Sequence, residues 1–248
     1  FNPNSAGRAS NEQRLDRAAA SVFEMGSTFK AFTVAIGLDT GVATPETKFD
    51  ATTPLKLGYR TITDYHATHA VLNLVEVFQH SSNIGTARLA ERIGPERMGK
   101  YFDALALTRP AKVELIESAR PLTPRKWDED AIASVSFGHG INVSPLALTR
   151  AYLAVLNGGE LLPLTIRKLE PGTKVDGPRV MSEKTSLQML SIMRANVTGG
   201  SGRSAASSVR KALPALLRPC RSPARAIRPK PPVPDSSSVC PDAPAQKC

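Results

Sequence analysis

Residues 1–205 contain no cysteine, and Cys220, Cys240 and Cys248 all follow them. Three is an odd number for a set of disulfides, and the spacings match no zinc-binding or CxxC pattern. A cysteine-free body is compatible with an oxidising compartment but does not require one. No apolar run reaches the roughly 18 residues of a membrane-spanning helix, and nothing resembles a signal peptide. Because the chain begins at Phe1 and not at Met, we expect a fragment whose targeting segment, if any, lies outside it.

Residues 206–248 lack glycine and aromatic residues and hold nine of the 20 prolines. They carry eight Lys or Arg and two Asp or Glu, a net charge of +6, whereas residues 1–205 carry 24 and 20, a net charge of +4. Such a composition cannot form a packed core. We therefore predict a folded domain over 1–205 and a disordered Pro/Arg-rich tail over 206–248.

The charge of the tail raises binding to nucleic acid or to an anionic membrane as an alternative function. The tail has no aromatic residues between its basic ones and no signature of a nucleic-acid-binding fold. We therefore expect no nucleic-acid partner.

Apolar periodicity predicts a series of helices before the tail. The first is a buried helix that follows Ser27 and ends near Gly41, which can adopt a left-handed cap. The other predicted helices span residues 72–80, 84–93, 96–107, 145–156 and 182–194. Loops are expected over 1–17 and 108–127, turns and short strands over 44–65, and a strand over 161–169, while residues 133–140 are small and bounded by glycine.

Ser27 and Lys30 lie three residues apart at the start of the first helix, so they share one helix face. A serine hydroxyl is a weak nucleophile until a base takes its proton, and a lysine can do so if burial keeps part of it neutral. Backbone N–H groups at the helix start can also bind an oxyanion. S-x-x-K alone is common by chance, and the alternative is a helix cap beside a solvated lysine.

A second short pattern follows 54 residues after Ser27, where Ser81, Ser82 and Asn83 interrupt the helical pattern. Ser81 can relay a proton between Lys30 and a leaving group, and Asn83 can hold a substrate amide. The simpler interpretation is a turn in which Asn83 is a helix N-cap.

The order S-x-x-K then S-x-N is that of the penicillin-recognising serine enzymes, and longer segments resemble class B penicillin-binding proteins of the division type. The similar segments are residues 23–30, 62–66, 75–83, 137–146, 150–152 and 157–159. The resemblance covers roughly residues 1–205, and together these segments are specific. The resemblance implies an α/β transpeptidase domain like those of penicillin-binding proteins and serine β-lactamases, with a helical cluster beside an antiparallel sheet.

The resemblance also implies a peptidoglycan D,D-transpeptidase that is acylated by D-Ala-D-Ala stem peptides or by β-lactams. Ser27 would be the nucleophile, Lys30 the acylation base, Ser81 the proton shuttle and Asn83 a substrate-binding residue. No metal or organic cofactor is implied. The implied partners are stem peptides, β-lactams and membrane proteins of cell division, and the intact family holds this domain on the outer side of the cell membrane.

The third motif of that family, K-T-G or K-S-G, does not occur in this sequence. In the family its cation binds the substrate carboxylate, and a backbone N–H of its strand is the second oxyanion donor. Residues 197–203 resemble the run before it, and then the tail begins. We therefore expect the C-terminal strands to be missing through truncation or a frameshift near Ala205, and activity to be weak or absent. The coding DNA read in the other frames tests the frameshift, which is excluded if no K-T-G codons occur just downstream.

Three other interpretations remain open. His66 and His69 are spaced as a metal pair but have no third ligand at a useful spacing, so surface or hydrogen-bonded histidines are favoured. Glu114 and Glu117 suggest the alternative of a β-lactamase-like hydrolase, in which a glutamate activates water. The class A pattern around that glutamate is not evident. The third is a non-catalytic scaffold or a non-functional fragment.

Overall fold

The structure is a computed structural model that describes residues 3–58 and 60–206. The prediction of a disordered tail over 206–248 lies outside these residues, apart from Ala206. The helices in the described residues are α1 (Asn11–Arg14), α2 (Arg17–Ala20), α3 (Lys30–Asp39), α4 (Leu74–Gln79), α5 (Asn83–Ile93), α6 (Pro95–Ala104), α7 (Glu129–Val135), α8 (Pro145–Leu156) and α9 (Glu183–Gly199). Short 3₁₀ helices span Pro3–Arg8, Gly26–Phe29 and Arg203–Ala205.

The strands of the described region form three antiparallel pairs. They are β1 (Phe23–Glu24) with β6 (Asn142–Val143), β2 (Lys48–Asp50) with β5 (Val71–Asn73), and β3 (Leu55–Leu57) with β4 (Arg60–Ile62). In register, Phe23 lies opposite Val143 and Phe49 opposite Leu72. A helical cluster with antiparallel strands is the architecture that the family resemblance implies. Strands β2, β3 and β4 fall within residues 44–65, where short strands were expected, whereas β1, β5 and β6 lie outside that range.

Helix α3 lies at the centre of the core. All its residues from Lys30 to Leu38 are buried, as the apolar pattern on several of its faces predicts, and it packs against α5, α8 and α9. Gly37 permits the close approach of α5, because a Cβ there would lie 2.8 Å from Leu89 Cδ1. At the start of the helix, Phe29 contacts Phe102 edge to face with ring centroids 5.9 Å apart.

Side-chain caps set the starts of the main helices. The hydroxyls of Ser82, Ser144 and Ser182 accept backbone N–H bonds at the first turns of α5, α8 and α9, and each such cap contributes about 1 kcal/mol. The helices predicted over 84–93, 145–156 and 182–194 are confirmed, and α9 continues to Gly199.

The strand predicted over residues 161–169 is wrong. Apart from the bridge between Glu160 and Arg179, this segment has no ladder partner in the described residues. Thr165 Oγ1 and the Ile166 N–H instead donate to the Glu114 carboxylate, at 2.5 and 3.0 Å. An apolar, β-branched segment can therefore lie extended on a side-chain acceptor without joining a sheet.

Helical turns also occur where the sequence predicts a loop or does not assign an element. Within the loop expected over 1–17, Ser10 begins α1 through a reciprocal capping box with Gln13. Helix α7 overlaps the small residues 133–140 and is capped by Asp128, whose side chain accepts the Ala131 N–H at 2.9 Å. The acidic first turn of α7 indicates a helix start, but the pattern of apolar residues does not include this signal. In the part of the chain that the structure describes, no helix is both long and apolar enough to cross a membrane.

Asp39 joins the end of α3 to α6 and α9. Its carboxylate accepts hydrogen bonds from the Tyr101 hydroxyl at 2.5 Å and from the Ser182 N–H and Thr185 Oγ1, both at 2.8 Å. Partial burial raises the pKa of Asp39, but the hydrogen bonds outweigh that effect and hold the pKa below its usual value.

We expect Asp39→Asn to lower the free energy of unfolding by about 1–2 kcal/mol at pH 7, because a charged acceptor of three hydrogen bonds is lost from a half-buried position. The pKa of Asp39 is lower in the folded state, so its contribution is complete above the unfolded pKa, about 4. It is lost as the pH falls through the folded value, and the difference between wild type and variant should shrink in acid. Urea denaturation at several pH values measures this, with the exposed Asp176→Asn as control, and an undiminished difference in strong acid would contradict it.

Candidate active site

The candidate nucleophile lies on a tight turn immediately before α3. Gly26 has φ +56° and opens the 3₁₀ turn in which Ser27 lies exposed. Two hydrogen bonds hold this turn, since the Thr28 hydroxyl donates to Met25 O at 2.8 Å and the Tyr152 hydroxyl donates to Thr28 O at 2.6 Å. The Ser27 side chain is therefore accessible at the N-terminal end of the central helix.

A second segment of the chain packs directly on this turn. Strand β6 pairs with β1, and the Gly140 N–H donates to Glu24 Oε1 at 2.6 Å. Gly138 has φ +81°, and a Cβ at this residue would lie 2.0 Å from Gly26 O. The segment after α7 thus touches the main chain of the Ser27 turn, and only glycine fits at the contact.

Lys30 is 2% exposed, and its ammonium group contacts Ser81 from a distant part of the chain. Lys30 Nζ donates to Ser81 Oγ at 2.8 Å and also to the Ser81 carbonyl oxygen. Burial lowers the pKa of Lys30 to about 8, although the negative charge of Asp64 opposes the shift. A lysine with such a pKa is neutral in about one molecule in ten at pH 7, which is the form that can accept a proton.

Ser81 lies in the turn between α4 and α5 in the left-handed conformation, with φ +54°. Such a conformation is costly for a residue other than glycine, by about 1 kcal/mol or more, and is common at functional sites. Ser82 and not Asn83 is the N-cap of α5. The interpretation of this motif as a turn with Asn83 as the helix cap is therefore wrong about the capping residue. Asn83 begins the helix, and its amide donates to Thr63 O at 2.8 Å.

A cleft of about 400 Å³ borders Asn83. Its lining includes the side chains of Arg60, Thr61, Thr63, Ser134, Phe137 and His139. The residues come from β4, from the end of α7 and from the segment that packs on the Ser27 turn. The lining combines hydroxyl-bearing residues and Arg60 with the apolar residues Ile62 and Phe137.

The structure brings Lys30 and Ser81 into direct contact and places Ser27 one helical turn before Lys30. Among the described residues, no hydrogen bond joins the Ser27 hydroxyl to Lys30 or to Ser81. Asn83 follows Ser81 by two residues and borders the cleft. The catalytic roles of these four residues remain predictions.

Sequence reasoning missed Asp64, whose carboxylate accepts the Ser82 hydroxyl at 2.7 Å and the Ile84 N–H at 3.0 Å. It lies within the segment 62–66 that carries part of the family resemblance, but an aspartate in a polar run gives no signal by itself. Tyr152 was also missed. Burial raises the pKa of its hydroxyl to about 12, so the hydroxyl stays protonated and donates to the Ser27 turn.

The carboxylate considered for a hydrolase has other partners. Glu114 accepts the hydrogen bonds from Thr165 and Ile166, and its pKa is lowered, first by the Thr165 hydroxyl. His69 Nδ1 lies 3.1 Å from Thr52 O, and the His66 ring contacts Tyr65. In residues 3–58 and 60–206, no group of three or more His, Cys, Asp or Glu side chains is placed to hold a metal ion.

Comparisons with known proteins define the class to which this fold and site belong. The sequence profile of the penicillin-binding protein transpeptidase domain matches residues 1–213. A crystal structure titled as a peptidoglycan glycosyltransferase from Burkholderia ambifaria has a TM-score of 0.72 at 32% identity, over 77% of this chain and 61% of that one. The transpeptidase domain of penicillin-binding protein 3 from Burkholderia pseudomallei has a TM-score of 0.73 at 32% identity, over 77% and 59%.

The chain belongs to the penicillin-binding protein transpeptidase family, and the resemblance inferred from its motifs is confirmed. It is 71% identical over 204 residues to the "Probable peptidoglycan D,D-transpeptidase FtsI" of Caulobacter vibrioides, across 82% of this chain and 35% of that protein. It is 31% identical to the "Peptidoglycan D,D-transpeptidase FtsI" of Escherichia coli, across 82% and 34%. The chain thus spans about a third of the length of these relatives.

Gly138→Ala tests the contact on the Ser27 turn. We expect a loss of more than about 2 kcal/mol in the free energy of unfolding, because a Cβ would collide with Gly26 O while φ is positive. Gly140→Ala is the matched control, since Gly140 has φ +76° but nothing within 4 Å of its added Cβ. Thermal and urea unfolding measure both variants, and equal losses would show that the close contact contributes nothing.

Proposed function

We propose that this protein is a peptidoglycan D,D-transpeptidase-like penicillin-binding protein in which Ser27 forms an acyl-enzyme. The observation that carries the proposal is the buried contact between Lys30 and Ser81, one helical turn from an exposed serine at a helix start. The names of the relatives from Caulobacter vibrioides and Escherichia coli support the same reaction.

In the proposed reaction, neutral Lys30 accepts the proton of the Ser27 hydroxyl as the Ser27 oxygen attacks the carbonyl carbon of the D-Ala-D-Ala peptide bond. The lysine then returns a proton through the Ser81 hydroxyl to the nitrogen of the leaving D-alanine. The C–N bond breaks and a serine ester remains. The amine of a second stem peptide attacks this ester, forms the cross-link and restores the Ser27 hydroxyl.

Backbone N–H groups at the start of α3 stabilise the oxyanion of each tetrahedral intermediate. Asn83 holds an amide of the stem peptide, and the cleft beside it accommodates part of the peptide chain. A β-lactam follows the first half of the same path, because its strained amide acylates Ser27 and the opened ring stays attached. Stem peptides and β-lactams are therefore the proposed ligands.

The absence of a K-T-G sequence favours a second candidate, a domain that binds without turning over. One missing oxyanion donor costs about 10²–10³ in rate, so we expect this polypeptide to acylate slowly. Slow acylation of Ser27, with the contact between Lys30 and Ser81 intact, would give a β-lactam-binding protein of weak activity. We also propose that the parent protein acts at the outer side of the cell membrane with membrane proteins of cell division as partners.

Labelling with a fluorescent penicillin, followed by mass spectrometry of the labelled peptide, tests the nucleophile. We expect a covalent adduct on Ser27 that forms about 10²–10³-fold more slowly than on an intact relative, and none on Ser27→Ala. The exposed Ser191→Ala is the control for removal of a serine elsewhere. An adduct on another residue would overturn the proposal, and labelling as fast as in an intact relative would overturn the predicted impairment.

The labelling rate should rise with pH through a midpoint near 8, because Lys30 acts as a base only when it is neutral and its pKa is about 8. Below the midpoint the rate should fall about tenfold for each pH unit. Lys30→Ala should remove both the labelling and its pH dependence. A flat profile between pH 6 and pH 9 would exclude Lys30 as the acylation base.

A further inference from the structure

Asp64 lies after β4, outside the S-x-x-K and S-x-N motifs, and faces the start of α5. Its two carboxylate oxygens have different partners. Oδ2 accepts the Ser82 hydroxyl at 2.7 Å, and Oδ1 accepts the Ile84 N–H at 3.0 Å. Asp64 is half-buried, while Ser82 and Ile84 are both buried.

Ser82 connects Asp64 to the turn that contains Ser81. While its hydroxyl donates to Asp64, its oxygen accepts the Gly85 N–H at 2.9 Å, and its own N–H donates to Val77 O at 2.9 Å. The end of α4 and the start of α5 are thus fastened together on the C-terminal side of Ser81. A residue held from both sides can keep an unfavourable φ that an isolated turn would relax.

We propose that Asp64 is a positioning residue for the Lys30–Ser81 pair: it anchors Ser82 and the first turn of α5, and this holds Ser81 in the left-handed conformation in which both of its oxygens face Lys30. The inference about structure stands on these contacts, and only its consequence for acylation rests on the proposed function. The middle residue of the S-x-N motif, Ser82, thereby acquires a defined task.

The charge of Asp64 adds a second effect. Among the described residues, Asp64 is the charged group that acts on Lys30, while the Ser81 oxygens that touch the ammonium are uncharged. Burial lowers the pKa of Lys30 and Asp64 raises it. The carboxylate therefore stabilises the ammonium that Lys30 becomes after it takes the proton of Ser27, at the cost of a smaller neutral fraction beforehand.

Two variants separate the anchor from the charge. Asp64→Asn removes the charge and leaves the Ser82 hydroxyl without an anionic acceptor, although Asn Oδ1 can still accept the Ile84 N–H. Ser82→Ala breaks the anchor but retains the carboxylate. Asp50→Asn is the matched control, because Asp50 is an exposed aspartate that also accepts a threonine hydroxyl and a backbone N–H, both from Thr52.

The first measurements need no catalysis. NMR titration of ¹³Cε-labelled lysine, with Lys30 assigned by its absence in Lys30→Arg, should give a pKa near 8 in the wild type and a lower value in Asp64→Asn. Ser82→Ala retains the Asp64 carboxylate and should not show this decrease in the Lys30 pKa. Asp50→Asn should leave the Lys30 pKa unchanged. The backbone amide hydrogen of residue 82 should exchange faster with solvent in both Asp64→Asn and Ser82→Ala.

Penicillin acylation supplies the functional measurement. At pH values where Lys30 is fully neutral, both variants should acylate about 10–100-fold more slowly than the wild type, because Ser81 is misplaced. The midpoint of the pH profile should move to lower pH in Asp64→Asn alone. This combination distinguishes a positioning residue from one that only stabilises the fold, which would change neither the midpoint nor the limiting rate of the folded fraction.

Unchanged exchange of the Ser82 amide in both variants would overturn the anchor, and so would a limiting rate in Ser82→Ala equal to that of the wild type. An unchanged Lys30 pKa in Asp64→Asn would overturn the electrostatic effect. If the wild type forms no adduct at any pH, the proposed function fails, while the NMR results still decide the role of Asp64.

Discussion

A buried ammonium group in the central helix is the constraint on which the candidate site depends. Helix α3 is apolar and enclosed on all sides, yet it begins at Lys30, which is 2% exposed. A charge taken out of water is costly unless hydrogen bonds compensate for it. Ser81 supplies two oxygens for this purpose, so a residue in the turn between α4 and α5 must take up a particular and strained conformation.

The same constraint explains the arrangement around Ser81. A left-handed serine is stable only where neighbouring contacts determine it, and the bonds of Ser82 to Asp64, Gly85 and Val77 do so. At the N-terminal end of α3, the turn of Ser27 is fixed by the close contact between Gly26 and Gly138. Two distant segments thus hold the two ends of the Ser27–Lys30 pair, and its geometry follows from packing rather than from the tetrapeptide itself.

Much of the helical framework could be predicted from the sequence, because local signals determine it. Pro145 at a first turn and the apolar periodicity of α3 and α5 depend on residues a few positions apart. The motif order also identified Lys30 and Ser81 as partners, although they are 51 residues apart and no periodicity relates them. The chemistry of the two side chains suggested that Ser81 relays a proton for Lys30, and the family resemblance supported this pairing.

The errors arose where distant side chains decide the local structure. Residues 161–169 have the composition of a strand but are held by Glu114, about 50 residues earlier in the chain. The role of Asp64 was invisible for the same reason, because its partners Ser82 and Ile84 are some 20 residues away. Short-range patterns cannot predict a hydrogen bond of this kind, whether it replaces a strand partner or anchors the turn that contains Ser81.

In the proposed reaction, Lys30 has to satisfy opposing demands, and its surroundings are suited to balance them. A proton acceptor must be neutral before the reaction and must be stabilised as a cation during it. Burial alone would favour the neutral lysine and make the ammonium costly, whereas a direct ion pair would keep the lysine protonated. A carboxylate that is fastened to Ser82 and acts on Lys30 by its field lies between these extremes, consistent with a pKa of about 8. In the proposed reaction, residues 27–85 therefore set the proton transfer, whereas the K-T-G motif of related enzymes would act on the oxyanion and the substrate carboxylate. If the proposed roles hold, the two groups serve different atoms of the substrate, so a domain without K-T-G should acylate more slowly with the same dependence on pH.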